Sequence, residues 1–423
     1  MDTNVSSSAK EAEVVKPLAQ PTSIHEHPGA HWPVIAAAIT LPIICGLIIA
    51  SFLLLPKIGG DVDNDGEAGT TATTRQNPTH VARALKKVEI ANAAERGAVC
   101  NDGSPGAYYF RPGTQAHAKD WIVYLHGGGA CTSEADCAAR ADETPNLTST
   151  LNHPETIVED GILSASATKN PDFYNWNQVE VIYCSSDGWS GTTEGVIEGE
   201  TWYFHGRDIV TALFEDLQNE EIIRTATLAQ AGRLLFAGSS AGGGGVSKNL
   251  DYVASLLPEV EVRGFIDSSY SIDIEPYVVL TGFNDQTSEG VAAYQNRLAD
   301  DTCSQAHLSD PGYCTILDHV YPYISTPLYI FNNQLDPKRL SNLGITNAQD
   351  PAQADWIRNT YVPAFTEAIS DVDPIFAPYQ HFHTMLISDR FFTTKIDGVS
   401  AAEAFANWYF GRGGQTRYVE TAP

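Results

Sequence analysis

Positive charge is scarce in this chain. Its 423 residues carry 25 Lys and Arg against 52 Asp and Glu, a formal net charge of −27. Such a surface repels a phosphate backbone, so nucleic-acid binding is excluded as a function class. The acidity fits the soluble surface of a protein outside the cytosol. Metal-ligand spacing is missing too. No C-x-x-C or H-x-x-x-H accompanies the cysteines of the globular part, which argues against a zinc site. Asp61, Asp63, Asp65 and Gly66 imitate the start of a calcium loop, but Ala72 stands where a bidentate Glu is needed. The glycines at 127–129 lead into Ala130 and Cys131 rather than a Lys and a hydroxyl residue, so they do not make a phosphate loop. No internal repeat is visible. Neither a metal nor an organic cofactor is expected.

What is present suffices for a large core. Hydrophobic residues make up 43% and charged residues 18%, with 18 Tyr and 7 Trp, unlike a disordered chain. Four stretches follow from composition. Residues 1–32 mix Ser, Ala, Glu, Pro and His without apolar period and read as a disordered tail. Pro33 opens and Leu55 closes an uncharged run, which as a helix would measure about 34 Å and cross a bilayer. Its length favours an uncleaved transmembrane signal anchor over a cleaved signal peptide. Residues 56–80 are a flexible linker rich in Gly, Thr and acidic side chains, and residues 81–423 form the globular domain.

Cys45 lies in the apolar run. The other six cysteines are an even set suited to a disulfide-permissive compartment. Proximity pairs Cys131 with Cys137 and Cys303 with Cys314, leaving Cys100 with Cys184; the sequence alone does not fix this connectivity. These cysteines place the large C-terminal part in the secretory lumen or outside the cell, because Lys10, Lys16 and Lys57 give no charge bias across the run. There the sequon Asn146-Leu147-Thr148 would be open to N-glycosylation.

Within the globular part, short apolar runs at 121–125, 179–183, 234–237, 262–266 and 328–331 alternate with helical patterns at 206–217, 241–257 and 352–369. This predicts an α/β fold with a mostly parallel sheet and helices on both faces. The run at 234–237 feeds directly into Gly238-Ser239-Ser240-Ala241-Gly242. A G-x-S-x-G turn between strand and helix holds its central serine out over the sheet, as a nucleophile must be held. A hydroxyl also needs a base, an acid to orient that base, and donors aimed at the developing oxyanion. Ser240 is the candidate nucleophile, with Ser239 its neighbour and competitor. His126-Gly127-Gly128-Gly129 follows a strand, and Gly128, Gly129 and the amide of Ala241 are the candidate oxyanion donors. Asp336 is the candidate acid, with Asp267 a rival that also follows a strand. His381 and His383 are the candidate bases and share one face if extended, and spacing does not choose between them; His126 is a third possibility, though it belongs to the glycine loop.

Longer blocks carry a resemblance. Residues 181–191 read VIYCSSDGWSG, residues 236–243 read FAGSSAGG followed by Gly245-Val246, and residues 262–268 read VRGFIDS. They resemble the corresponding blocks of the Notum and pectin acetylesterase family of α/β-hydrolase-like serine esterases. The similarity covers nearly the whole globular part. It implies Ser240 as nucleophile, Asp336 as acid, Gly128, Gly129 and Ala241 as oxyanion donors, and His383 as base. Counting onward from His383 reaches Gly398 and Ser400, which match the family's later K-G-x-S block. The implied substrate is a fatty-acylated protein or an O-acetylated polysaccharide. The chain departs from Notum in having Gly129 where the oxyanion loop has Trp, in having fewer cysteines, and in its uncharged run. A short-acyl polysaccharide esterase and a non-catalytic surface binding protein on the same fold are the competing readings.

Overall fold

In the computed structural model, which describes residues 84–223, 227–278, 298–310 and 312–422, the apolar runs become the centre of one ten-stranded sheet. In chain order the main elements are β1 (Leu85–Glu89), β2 (Ala107–Arg111), β3 (Asp120–Leu125), α1 (Glu134–Glu143), β4 (Thr156–Ile157), β5 (Asn177–Val181), the hairpin β6 (Thr193–Ile197) and β7 (Glu200–Phe204), and α2 (Gly206–Gln218). They continue with β8 (Arg233–Ser239), α3 (Ala241–Leu256), β9 (Glu261–Asp267), β10 (Leu328–Phe331), α4 (Pro337–Asn342), β11 (Ile375–Ala377), α5 (Arg390–Thr393), α6 (Ala401–Tyr409) and β12 (Arg417–Val419). The sheet order is β12-β11-β10-β9-β8-β3-β5-β2-β1-β4. From β12 to β5 every pairing is parallel; β2, β1 and β4 add an antiparallel edge.

The parallel strands are buried on both faces, so they read as continuous apolar runs rather than alternating ones. Trp121, Val123, Leu234 and Phe236 pack with Ile209 and Phe214 of α2 and Leu250 and Val253 of α3. Tyr124, Leu235 and Phe265 pack on the other face with Phe391 of α5 and Phe405 and Tyr409 of α6. Register aligns the carboxyl ends: Leu125 lies opposite Gly238, Ser239 opposite Asp267, and Asp267 opposite Phe331. The turns after these strands therefore meet at one edge, where open α/β sheets bind ligands.

Two expectations need correction. The run expected at 179–183 pairs as Asn177–Val181, because Asn177 and Gln178 enter the sheet with their side chains satisfied by Ala118 O and Phe173 O. Ile182 and Tyr183 fall in the turn beyond. The single helix expected at 352–369 is divided into Pro351–Trp356, a π turn Ile357–Tyr361, and Val362–Ala368. Pro363 has no N–H to give the carbonyl four residues back, so the regular ladder cannot run through. The antiparallel strands β1, β2 and β4 fall outside the expected runs; β1 reads LKKVE, whose charges hide the strand period.

Cys100 is bonded to Cys184, Cys131 to Cys137, and Cys303 to Cys314. The tail 1–32, the uncharged run 33–55 and the linker 56–80 lie outside the described residues. Among the described residues no helix is long and apolar enough to cross a membrane.

Candidate active site

Strand β8 ends in a turn that only small residues can make. A Cβ on Gly238 would lie 2.4 Å from the carbonyl oxygen of Gly242, and one on Gly242 would lie 2.0 Å from that of Leu125. Between them Ser240 takes φ 56° and ψ −126°, a backbone region that non-glycine residues seldom occupy. Its amide donates to Asp267 O at 2.8 Å, and the Ser269 hydroxyl donates to its carbonyl. Ser240 thus caps α3, and Ala241 is the first residue of that helix. The amide after the serine stands at the positive end of a helix dipole.

His383 bridges Ser240 and Asp336. Its Nδ1 lies 2.8 Å from Asp336 Oδ2 and 3.0 Å from Oδ1, and its Nε2 lies 2.8 Å from Ser240 Oγ. An ionised carboxylate only accepts, so Nδ1 carries the ring proton and Nε2 is left to accept from the serine hydroxyl. Asp336 is 1% exposed and caps α4, accepting from the amides of Lys338 and Arg339. Its three donors hold the carboxylate in one orientation.

The loop bearing His383 is anchored on both sides of the ring. Asn333 Nδ2 donates to Phe382 O at 2.7 Å, and the Thr384 amide donates to Ser268 Oγ at 3.1 Å. Asp267 Oδ2 then accepts from the amides of Met385 and Leu386 and from the Ser239 hydroxyl. Asp267 is fully buried; burial pushes its carboxyl above the usual range, against the pull of these hydrogen bonds. Asp267 does not touch His383. It ties the serine turn to the histidine loop, and Ser239 is committed to it, 2% exposed. His381 is exposed and away from this chain of bonds. Asn333 and Ser268 had no sequence signal, since polar residues after strands are common.

The glycine loop after β3 crosses beside the serine. A Cβ on Gly127 would lie 2.9 Å from Ser240 Cβ. Gly128 and Gly129 have φ of 149° and 71°. Trp189 Nε1 donates to His126 O at 3.0 Å, and the Cys131 amide donates to Ser186 O at 3.1 Å. Asp187 holds the Trp189 loop, accepting from the Ser185 hydroxyl and from the amides of Trp189, Gly191 and Gly206. The His126 ring is not part of the serine relay; its Nδ1 lies 2.9 Å from Glu180 Oε1. Burial opposes the charged ring, yet Glu180 holds it above its ordinary value. Burial, with Glu180 nearby, pushes the Glu159 carboxyl up to about 7. Asn146 is exposed on the turn after α1. Among the described residues no group of three or more His, Cys, Asp or Glu is arranged to hold a metal ion.

Known proteins share this arrangement of elements. The pectinacetylesterase family profile matches residues 80–422. The palmitoleoyl-protein carboxylesterase NOTUM of Drosophila melanogaster is 31% identical over 335 residues, covering 77% of this chain and 48% of that protein. The NOTUM of Homo sapiens is 29% identical over 325 residues, covering 73% of this chain and 63% of its own length. Pectin acetylesterase 11 of Arabidopsis thaliana is 28% identical over 275 residues, covering 64% of this chain and 68% of that protein. The chain thus spans about half the length of the Drosophila relative. A solved structure of the Wnt deacylase Notum from Drosophila superposes with a TM-score of 0.74 at 30% identity, covering 80% of this chain and 97% of that one.

Proposed function

This chain belongs to the pectinacetylesterase family, and from that premise we propose that it is a serine carboxylic ester hydrolase whose nucleophile is Ser240, whose base is His383 and whose orienting acid is Asp336. The observation that carries the reading is the unbroken set of hydrogen bonds from Asp336 through His383 to Ser240. Ser240 Oγ attacks the ester carbonyl while its proton passes to His383 Nε2. The amides of Gly128, Gly129 and Ala241 receive the oxyanion. The tetrahedral intermediate expels the alcohol, which takes the proton from His383, and leaves an acyl-serine. Water, activated by the same ring, then releases the acid and restores the hydroxyl. Asp336 keeps the proton on Nδ1 throughout. None of these steps uses a metal or cofactor.

The substrate is an ester of a protein or polysaccharide hydroxyl. Relatives named for palmitoleoyl-protein and for acetylated pectin support those two classes. Nitrophenyl esters graded from acetyl to palmitoyl test both the reaction and the class. Turnover on the order of 1–10³ s⁻¹ is expected at the favoured length. A long-chain optimum selects the protein deacylase, and an acetyl optimum selects the polysaccharide esterase. Inertness toward the whole series would sink the esterase reading.

We place this domain (81–423) in the secretory lumen or outside the cell, held by the run from Pro33 to Leu55 as a single-pass anchor after the tail 1–32 and before the linker 56–80. Three disulfides support an oxidising compartment. Expression in a eukaryotic host should give an alkali-resistant membrane protein that loses mass on N-glycosidase digestion, except in Asn146→Gln. Release by alkaline carbonate would contradict the anchor, and an unchanged mass would contradict the glycan.

A further inference from the structure

The glycine loop carries two of the proposed oxyanion donors, yet glycine has no side chain with which to fix its own amide. Something outside the loop must set the direction of those N–H groups. Arg140, on the face of α1, donates from Nη2 to Gly128 O at 2.8 Å. A trans peptide is planar, with its C=O and N–H pointing opposite ways. A donor that draws Gly128 O towards α1 therefore turns the Gly129 N–H away from α1. We propose that Arg140 is the positioning residue of the oxyanion hole: it orients the Gly128–Gly129 peptide and so aims the Gly129 amide at the oxyanion. This inference rests on the serine-esterase reading above.

The surroundings of Arg140 fit a positioning task. Its guanidinium carbon lies 5.8 Å from the centre of the Tyr183 ring. Its Nε is buried without a hydrogen-bond partner among the described residues, an arrangement that costs stability. Tyr183 and Leu147 close the space beside Gly128, where a Cβ would meet Leu147 Cδ2 at 2.8 Å and Tyr183 Cδ1 at 3.0 Å. The Cys131–Cys137 disulfide fastens the end of the loop to α1 itself. Helix, arginine and loop are thus one braced unit. By contrast, a Cβ on Gly129 would meet nothing within 4 Å, so packing at that residue does not orient its amide.

Steady-state kinetics on the favoured nitrophenyl ester test the assignment. Arg140→Met should lower kcat on the order of 10²-fold, the scale of one lost oxyanion donor, with KM changed by less than about twofold. A boronic acid, which forms a tetrahedral anion on the serine, should lose affinity in parallel with kcat. Arg140→Lys, which keeps a donor, should fall between Met and wild type. Added guanidinium ion, below denaturing concentration, should restore part of the activity of Arg140→Ala. Unchanged kcat in Arg140→Met would overturn the assignment. So would losses in all three variants that follow only the loss of folded protein, with no rescue by guanidinium. Inertness of the unsubstituted enzyme would remove both this assignment and the esterase reading. Activity in the unsubstituted enzyme with full activity in Arg140→Met would remove this assignment alone.

Discussion

Ser240→Ala should lower ester turnover by about 10⁶-fold, the scale seen when a serine nucleophile is deleted from a triad. It should also abolish labelling by a fluorophosphonate probe. The loss should come without unfolding. Ser and Ala share the same Cβ, so the φ of 56° is no more strained after the change. The bonds that shape the turn run through the Ser240 amide and carbonyl, which the substitution leaves intact. Melting of the variant should therefore match wild type. Ser239 offers no substitute, since its hydroxyl is buried and donates to Asp267 at 2.6 Å. Retained labelling of the Ala variant would show the nucleophile to be elsewhere.

Asp336→Asn should lower kcat by about 10⁴-fold while preserving the fold, through the wrong histidine tautomer. The carboxylate accepts from the amides of Lys338 and Arg339 and from His383 Nδ1. An asparagine can satisfy the two backbone amides with its oxygen and remains a good helix cap. Its NH2 group then faces Nδ1, which must become an acceptor. The ring proton moves to Nε2, and the atom that should take the Ser240 proton is already occupied. Saturating-substrate kinetics with parallel thermal melts would check this. A loss below about tenfold in a folded variant would deny Asp336 its role.

The central strands were legible because a doubly covered strand is an apolar run that stops where the chemistry starts. Leu234 to Ala237 ends at Gly238, and Leu328 to Phe331 ends shortly before Asp336. The charged β1 (LKKVE) lacks that contrast, and β4 is only two residues long, so neither stands out as an apolar run. Alternation favoured neither His381 nor His383 because it assumed an extended segment. The loop instead turns at Thr384, which has φ 56°, and contacts remote in sequence set its course: Asn333 grips Phe382, and Asp267 grips Met385 and Leu386. Arg140 was invisible for a similar reason. On a helix read by composition it is one more solvated cation, and only the position of Gly128 O gives it a task.

The alignment of strand ends also has a consequence in time. His383 lies 143 residues beyond Ser240, and its loop follows β11, which pairs with β12 near the C-terminus. A chain made from its N-terminus contains its serine turn and glycine loop well before the proposed base is synthesised. Domains generally fold as units during synthesis. The proposed triad is therefore complete only once the C-terminal strands have been made and docked.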